Sequence, residues 1–290
     1  MRQLASHLAL LSVVVACGAC PDEGPVVPPV VPAHDGHGGH GGHDAHADHH
    51  ALAIPGIPAP TAAKSVSFVW PHDGSTVFSE VDVAFGVNGV GLRKAGEDPL
   101  DKTTGHHHVI IDSPSIPAGQ VVPKNDKYIH YGDASSTAHL TLSPGPHEIE
   151  MQLADGAHLS YGPALAAKIK LTVKEKPAAM GVSFANLKDG DVVKSPLLVK
   201  FAVEGFTLRP ASEDVLDKTS GHHHLIIDGE ATPLGAVVAK DATHLHFGKA
   251  ETETSVTLSP GAHTLTLQLA DGGHFSYGPS LSKTIKVTVQ

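Results

Sequence analysis

Hydrophobic residues alternate with polar or small residues in several stretches of the chain, with a period of two. Val81, Val83 and Phe85 begin one such series, and residues 147–153 and 169–173 form two others. Successive side chains of a strand point to opposite faces, so this pattern predicts β-strands with one face in a core. No stretch keeps the period of 3.6 expected of an amphipathic helix, which makes an all-β chain the prediction.

The whole pattern occurs twice. Residues 66–173 return as residues 182–289 at a constant offset of 116, without a gap. Each copy holds about seven short stretches of strand length separated by turn residues, which is typical of an antiparallel sandwich. We therefore predict two tandem immunoglobulin-like antiparallel β-sandwich domains, at residues 65–175 and 182–290, after a disordered N-terminal segment rich in histidine and proline.

The N-terminus has the features of an export signal. Arg2 supplies a positive charge, and Leu8 to Ala16 form an apolar run too short to span a bilayer as a permanent helix. The run ends in the letters VVAC, which resemble the lipobox of bacterial lipoproteins. We expect residues 1–16 to be a lipoprotein signal peptide, and the alternative is an ordinary signal peptide cleaved near Ala19.

The same resemblance gives one of the two cysteines a role. Cys17 is expected to carry the lipid, and Gly18 after it, instead of an aspartate, indicates sorting to the outer membrane. The expected location is therefore exported and lipid-anchored in the cell envelope. Cys20 is the only other cysteine, so the two domains contain neither a disulfide nor a thiolate metal ligand.

Residues 17–64 are predicted to be a disordered linker, because they are rich in proline and histidine and have no apolar face. Histidine recurs there at every third position. Imidazoles in such a segment bind divalent metal ions, and the alternative is a solvated linker without metal. The candidate ligands of this histidine tract are His34, His37, His40, His43, His46, His49 and His50.

Both copies share a longer motif. It runs GHHHxIID, then HxG with an aromatic residue between, then LSPGxH and QLADGxH. Over nearly the full length of each copy, this combination resembles the bacterial family known as domain of unknown function 4399. The resemblance implies an exported β-domain and no established activity.

The repeated histidines are the residues best suited to chemistry. On a strand, His106 and His108 share one face, while His107 continues the other face and is expected to be half-buried there. A His-x-His pair can chelate one ion, and neutral imidazole suits zinc, Cu(II) or Ni(II). The predicted metal ligands are His106, His108 and His130 in the first copy, and His222, His224 and His246 in the second.

The pattern leaves other candidates for the third metal ligand beside the His-x-His pair, namely His147, His158 or a nearby aspartate. His147 and His158 lie near opposite ends of one strand, so they are not expected to share a site. The alternative for both is a structural role, in which buried histidines bond to backbone or to aspartate. The residues of such a network would be Asp101, Asp112, His130 and Tyr161.

Signatures of catalysis are not found. The sequence has no nucleophile elbow, P-loop or dinucleotide fingerprint. Ser160 follows His158 by two residues, but without an oxyanion site this is a weak hint. The acidic loop at residues 97–101 lacks the spacing of a calcium loop and is expected to cap a turn and orient Lys102 or a nearby histidine. We expect a binding protein and not an enzyme, with a hydrolase as the last option.

The formal net charge of −10 argues against a nucleic-acid partner. The sequence thus predicts a cell-envelope lipoprotein that binds copper or zinc through its histidine tract and repeated histidines. Its expected partners are the membrane, through the lipid, and divalent metal ions. The alternative is an envelope or adhesion scaffold whose histidines are structural and bind no metal.

Overall fold

The computed structural model describes residues 64–290, so the predicted signal peptide, Cys17 and the histidine tract lie outside the described residues. The first copy consists of strands and one short 3₁₀ turn at Pro163–Leu165. Its strands are β1 Ser65–Trp70, β2 Thr76–Phe78, β3 Glu80–Asn88, β4 Gly91–Leu92, β5 Thr104–Ile111, β6 Tyr128–Tyr131, β7 Thr137–Thr141, β8 Gly145–Ala154 and β9 Ala166–Lys174.

The second copy has the same elements in the same order, with its 3₁₀ turn at Pro279–Leu281. Its strands are β10 Gly181–Phe184, β11 Asp191–Val193, β12 Leu197–Glu204, β13 Thr207–Leu208, β14 Ser220–Ile227, β15 His244–Phe247, β16 Glu253–Val256, β17 Gly261–Ala270 and β18 Ser282–Val289.

Each copy is built from a small and a large sheet. In the first copy the small sheet has the order β1-β3-β7, and the large sheet has the order β2-β9-β8-β5-β4, with β6 also pairing with β5. The second copy has the orders β10-β12-β16 and β11-β18-β17-β14-β13, with β15 on β14. The predicted fold class, an all-β chain of two immunoglobulin-like sandwiches, is therefore confirmed.

The structure contains short edge strands that the alternation of hydrophobic residues did not predict. Two short edge strands in each copy, β2 and β4 in the first, pair in parallel with β9 and β5, so the large sheets are not purely antiparallel. These strands have three and two residues, which is too short for a period of two to show. Within residues 64–290, no helix has the length and apolar character needed to span a membrane.

The core of each copy lies between its two sheets, as the alternating residues require. Val83 and Phe85 of β3 face Ile149 and Met151 of β8 in one buried cluster. The corresponding strands of the second copy contribute Phe201 and its neighbours to another cluster. Burial of this apolar surface is the main source of stability for such a sandwich.

The outer face of the large sheet is also covered. Gln152 of β8 receives a hydrogen bond from the Ile116 N–H at 3.1 Å and donates one to its carbonyl at 2.9 Å. These bonds hold the loop between β5 and β6 over the sheet, and Gln268 does the same with Thr232. Polar side chains on this outer face are therefore buried, and His106 and His108 lie among them.

Candidate metal centres

Strand alternation and strand pairing bring three histidines of the first copy together. His106 and His108 lie two residues apart on β5 and point to the outer face of the large sheet. The antiparallel pairing of β5 with β6 sets His130 directly opposite His108, on the same face. Opposite residues of such a pair have neighbouring side chains, so three imidazoles meet without any loop being involved.

A fourth imidazole comes from the loop after β8. His158 has a φ of 63°, in the left-handed region that few non-glycine residues adopt. Asp155 imposes this turn, because its Oδ1 accepts the backbone N–H groups of Ala157 at 2.8 Å and Leu159 at 3.0 Å. The backbone N–H of His158 also donates to the Asp155 carbonyl at 2.9 Å. The loop therefore aims His158 at the sheet.

The nitrogens of these residues converge on one point. His108 Nε2 lies 3.0 Å from His106 Nε2, and His158 Nδ1 lies 3.2 Å from the same atom. Each of the four histidines offers one ring nitrogen, and the four atoms lie within 4.8 Å of one another. In a tetrahedral zinc site with metal–nitrogen bonds of about 2.0–2.1 Å, neighbouring nitrogens are about 3.3 Å apart. We call His106, His108, His130 and His158 the first His cluster.

The second copy brings its equivalent histidines together, but its fourth imidazole approaches a different partner. His224 Nε2 and His246 Nε2 lie 3.0 Å and 3.2 Å from His222 Nε2. The nitrogens of these three lie within 4.8 Å of one another. His274 Nε2 approaches His246 Nε2 at 3.1 Å, and His274 has a φ of 66°. We call His222, His224, His246 and His274 the second His cluster.

Burial lowers the pKa of the inner histidines of both clusters. Desolvation, followed by repulsion from the neighbouring imidazoles, lowers the pKa of His106 to about 4 and that of His222 to about 3. The same causes lower the pKa of His108, His130 and His224. A neutral imidazole presents a lone pair, which is the form that binds a metal ion.

The inner histidines have no other use for their ring nitrogens among the described residues. The Nδ1 atoms of His106, His108, His222 and His224 are buried and have no hydrogen-bond partner there. A buried polar atom without a partner costs free energy, so such an arrangement is retained where the group serves another purpose. Four ring nitrogens in the first copy, and three in the second, lie within 4.8 Å of one another with no carboxylate in the group, which fits a cationic ligand.

The structure thus places the six histidines of the β-domains that the sequence nominated in two groups of three. It also adds His158 and His274, for which the sequence favoured a structural role. The signal that could have found them is the QLADGxH motif, in which an aspartate three residues earlier sets a turn. The histidine tract lies outside the described residues.

His107 and His223 lie on the core side of their strands. His107 packs against Phe85 with a ring separation of 4.7 Å, and its Nδ1 pairs with the Ser135 carbonyl at 2.9 Å. The expectation that it would be half-buried is wrong, since the residue has no exposed surface. The reason is that both faces of β5 are covered. These two histidines are structural.

His147 is not near the cluster. Its Nδ1 lies 2.6 Å from Asp112 Oδ2, and its Nε2 lies 3.2 Å from Ser143 Oγ, which resembles a serine, histidine and aspartate triad. However, Nε2 also lies 2.8 Å from the Ser143 carbonyl, which can only accept a hydrogen bond. The Ser143 carbonyl therefore competes with the Ser143 hydroxyl for Nε2, and the imidazole links Asp112 to the turn. The matching Asp228 raises the pKa of His263.

The suggested network of Asp101, Asp112, His130 and Tyr161 does not form. Asp101 caps its turn by accepting the Thr103 N–H at 2.8 Å, as expected. Arg93 pairs with it, whereas Lys102 pairs with Asp155. The acidic loop therefore orients an arginine, and the lysine reaches the loop that carries His158.

Gly248 lies so close to the ring of His246 that a substitution at Gly248 tests the second His cluster. A Cβ atom there would lie 2.3 Å from Cε1 of His246 and 2.5 Å from its Nε2. Gly248→Ala should turn this ring away and weaken zinc binding at the second cluster by about 10- to 100-fold. Calorimetry in a chain whose first cluster is disabled by His106→Ala and His108→Ala would measure this.

The matched control for that substitution is Gly181→Ala. A Cβ at Gly181 meets nothing within 4 Å, so zinc affinity should not change. If Gly248→Ala leaves the affinity at the second cluster unaltered, His246 is not a ligand.

Comparison with known proteins gives a family and distant structural likenesses. Residues 83–174 and 199–290 match the family described as Domain of unknown function (DUF4399). The chain resembles the fibronectin(III)-like modules of Clostridium thermocellum CbhA at 12% identity, with a TM-score of 0.27, over 78% of this chain and 94% of that one. A comparison with curated proteins found no match.

A further likeness is to the N-terminal Ig1-2 module of the Drosophila receptor protein tyrosine phosphatase DLAR. It has 8% identity and a TM-score of 0.26, and it covers 78% of this chain and 99% of that one. These structural likenesses carry no argument about function. The two family matches together span more than half of the sequence and include every histidine of both clusters. The chain therefore belongs to the DUF4399 family, of which it contains two tandem copies.

Proposed function

We propose that this protein binds divalent transition-metal ions, one in each His cluster, and that it does so in the cell envelope as a lipoprotein. The observation that carries the proposal is the convergence of four imidazole nitrogens in the first copy and three in the second, where His274 Nε2 also lies 3.1 Å from His246 Nε2. The residues that would hold the ion are the members of the two clusters. The β-sheet supplies three of them on rigid strands, as a preorganised site needs.

The donor set favours zinc or Cu(II). Both ions accept neutral imidazole, whereas magnesium and calcium prefer oxygen ligands. Zinc has no preference from its d electrons and adapts to four nitrogens near a tetrahedron, whereas Cu(II) prefers a flatter arrangement. The family membership adds no metal of its own, so the ion is named from ligand chemistry alone.

Exposure indicates how an ion would enter. His106 and His108 are buried at the floor of the first cluster, while His130 and His158 are partly exposed at its rim. An ion arriving from solvent would meet the rim first and then the two inner nitrogens. The histidine tract would capture metal near the membrane and pass it to the clusters, which suits a metal buffer or carrier.

Calorimetry with zinc, and separately with Cu(II), tests the proposal. A protein consisting of residues 64–290 should bind two ions per chain, and the full chain should bind more because of the tract. Protons compete with the metal for the imidazole lone pairs, so binding should weaken as the solution is acidified. If residues 64–290 bind neither ion saturably, the histidines are structural and the scaffold function takes precedence.

The envelope location rests on Cys17 at the end of the apolar run. Cys17→Ala should release the protein from the membrane fraction, because the lipid of the expected lipoprotein is attached at that thiol. Cys20→Ala is the matched control and should leave fractionation unchanged. Membrane attachment that survives Cys17→Ala would exclude lipidation at that residue, without bearing on the metal sites.

A further inference from the structure

The two His clusters have the same ligands but different surroundings. In the first copy, Leu100 is 84% exposed, and the side chain of Lys102 is 54% exposed. At the equivalent positions of the second copy, Leu216 is part-buried and the side chain of Lys218 is only 2% exposed. The covering element is the first copy itself.

Backbone and aromatic contacts join the copies at this point. The Thr76 N–H donates to the Leu216 carbonyl at 2.9 Å, and the Lys218 N–H donates to the Thr76 carbonyl at 2.7 Å. Trp70 is 2% exposed, and the Lys218 ammonium lies 4.6 Å from its ring centroid. Trp70 also meets Tyr277 edge to face at 5.2 Å. The segment before β14 is thus fixed by the first copy.

The same contacts reach the loop that carries His274. Lys218 pairs with Asp271, whose Oδ1 accepts the backbone N–H groups of Gly273 at 2.8 Å and Phe275 at 2.9 Å, on either side of His274. His72 of the first copy packs on the Phe275 ring at 4.7 Å. The first copy therefore supports the His274 loop in two ways. Trp70 packs on Lys218, which pairs with Asp271, and His72 packs on Phe275.

The two residues of the first copy that make these contacts are replaced by different residue types at the equivalent positions of the second copy. Where the first copy has Trp70 and His72, the second has Asn186 and Lys188 at the 116-residue offset. The duplicated copies have thus diverged at the positions that build the contact. In the first copy, the lysine that pairs with Asp155 beside the His158 loop is half-exposed, and the Gly96 N–H also donates to the Gly156 carbonyl at 2.9 Å.

We infer that the first copy is a positioning element for the metal site of the second copy, so that the two sites differ in affinity. This rests on the proposed function. A ligand loop that is already ordered loses less freedom on binding, so the second His cluster binds metal more tightly and fills first. Trp70 and His72 act through Phe275, Lys218 and Asp271 and do not touch the ion. By linkage, metal at the second cluster strengthens the contact between the copies.

The test measures each site alone by zinc calorimetry. His106→Ala with His108→Ala leaves only the second cluster, and His222→Ala with His224→Ala leaves only the first. In the first of these backgrounds, Trp70→Leu and, separately, His72→Ala should weaken zinc binding by about 5- to 150-fold, the usual range of coupling between sites. In the second background both substitutions should have no effect. Lys188→Ala, the matched control, should have none in either.

A readout independent of affinity comes from Trp70, the single tryptophan of the chain. Zinc, which has no redox chemistry and no open d shell, should reduce quenching of Trp70 by acrylamide when the second cluster is intact, and not when only the first cluster remains. Equal zinc affinities of the two clusters, unchanged by both substitutions, would overturn the inference. An absence of zinc binding in both backgrounds with Trp70 and His72 intact would instead refute the proposed function.

Discussion

Replacing His106 and His108 together with alanine should remove one of two bound metal ions and leave the other. Both inner nitrogens of the first His cluster are lost, and His130 and His158 at the rim cannot enclose an ion alone. Loss of hydrogen bonds around a metal ligand typically weakens binding 10- to 100-fold, so loss of two ligands should take the first site below detection. Calorimetry or metal analysis of the protein of residues 64–290 would count the ions.

A matched control for the double substitution is His139→Ala. His139 is an exposed histidine of the same copy whose Nδ1 pairs with Asp82 at 2.8 Å, away from the cluster. Two ions per chain should remain. Circular dichroism should show the same strand content in both variants. Two ions retained by the double variant would mean that His106 and His108 are structural.

Replacing Lys218 with methionine should destabilise the protein far more than replacing Lys102 with methionine. Lys218 and Asp271 form a buried pair, with side chains 2% and 0% exposed. Removal of one partner leaves an unpaired buried charge, which costs about 3–5 kcal/mol. Lys102 makes the same pair with Asp155 but is 54% exposed, so water can replace it at a cost of about 1 kcal/mol or less.

Urea unfolding of the metal-free protein would measure this difference, since it appears as a change in midpoint at constant slope. Methionine retains most of the lysine's apolar volume, so the comparison isolates the charge. Equal losses of unfolding free energy for the two variants would show that cover by the first copy does not matter to this ion pair. The result also bears on the second His cluster, because Asp271 orders the His274 loop.

Strand alternation alone predicted much of the fold. A period of two at residues 81–87 and its return at the 116-residue offset are local properties of the chain, and they placed β3 and β12 correctly. The same rule put His106 and His108 on one face. Alternation did not predict short edge strands such as β4. Two residues are too few to show a pattern, and their pairing is decided by the neighbouring strand.

The sequence did not predict where residues on loops lie relative to the sheet. His158 was treated as distant because it follows the strand that His147 begins, and that separation holds in the structure. Its proximity to His106 depends on the pairing of β8 with β5, which aligns Ala154 with His106, and on the turn that Asp155 imposes. Neither the register nor the direction of a left-handed residue can be derived from the spacing of histidines.

By itself, the sequence determined that the chain is two copies of one all-β domain, and that in each copy a His-x-His pair shares one face of a strand. These follow from side-chain periodicity and from repetition, which are properties of neighbouring residues. Only the tertiary structure decided which third histidine joins each pair, that His158 adds a fourth imidazole in the first copy, that His107 and His147 serve the fold, and that the two clusters differ. The reason is that strand register, loop direction and the packing of Trp70 against the second copy are contacts between residues far apart in the chain.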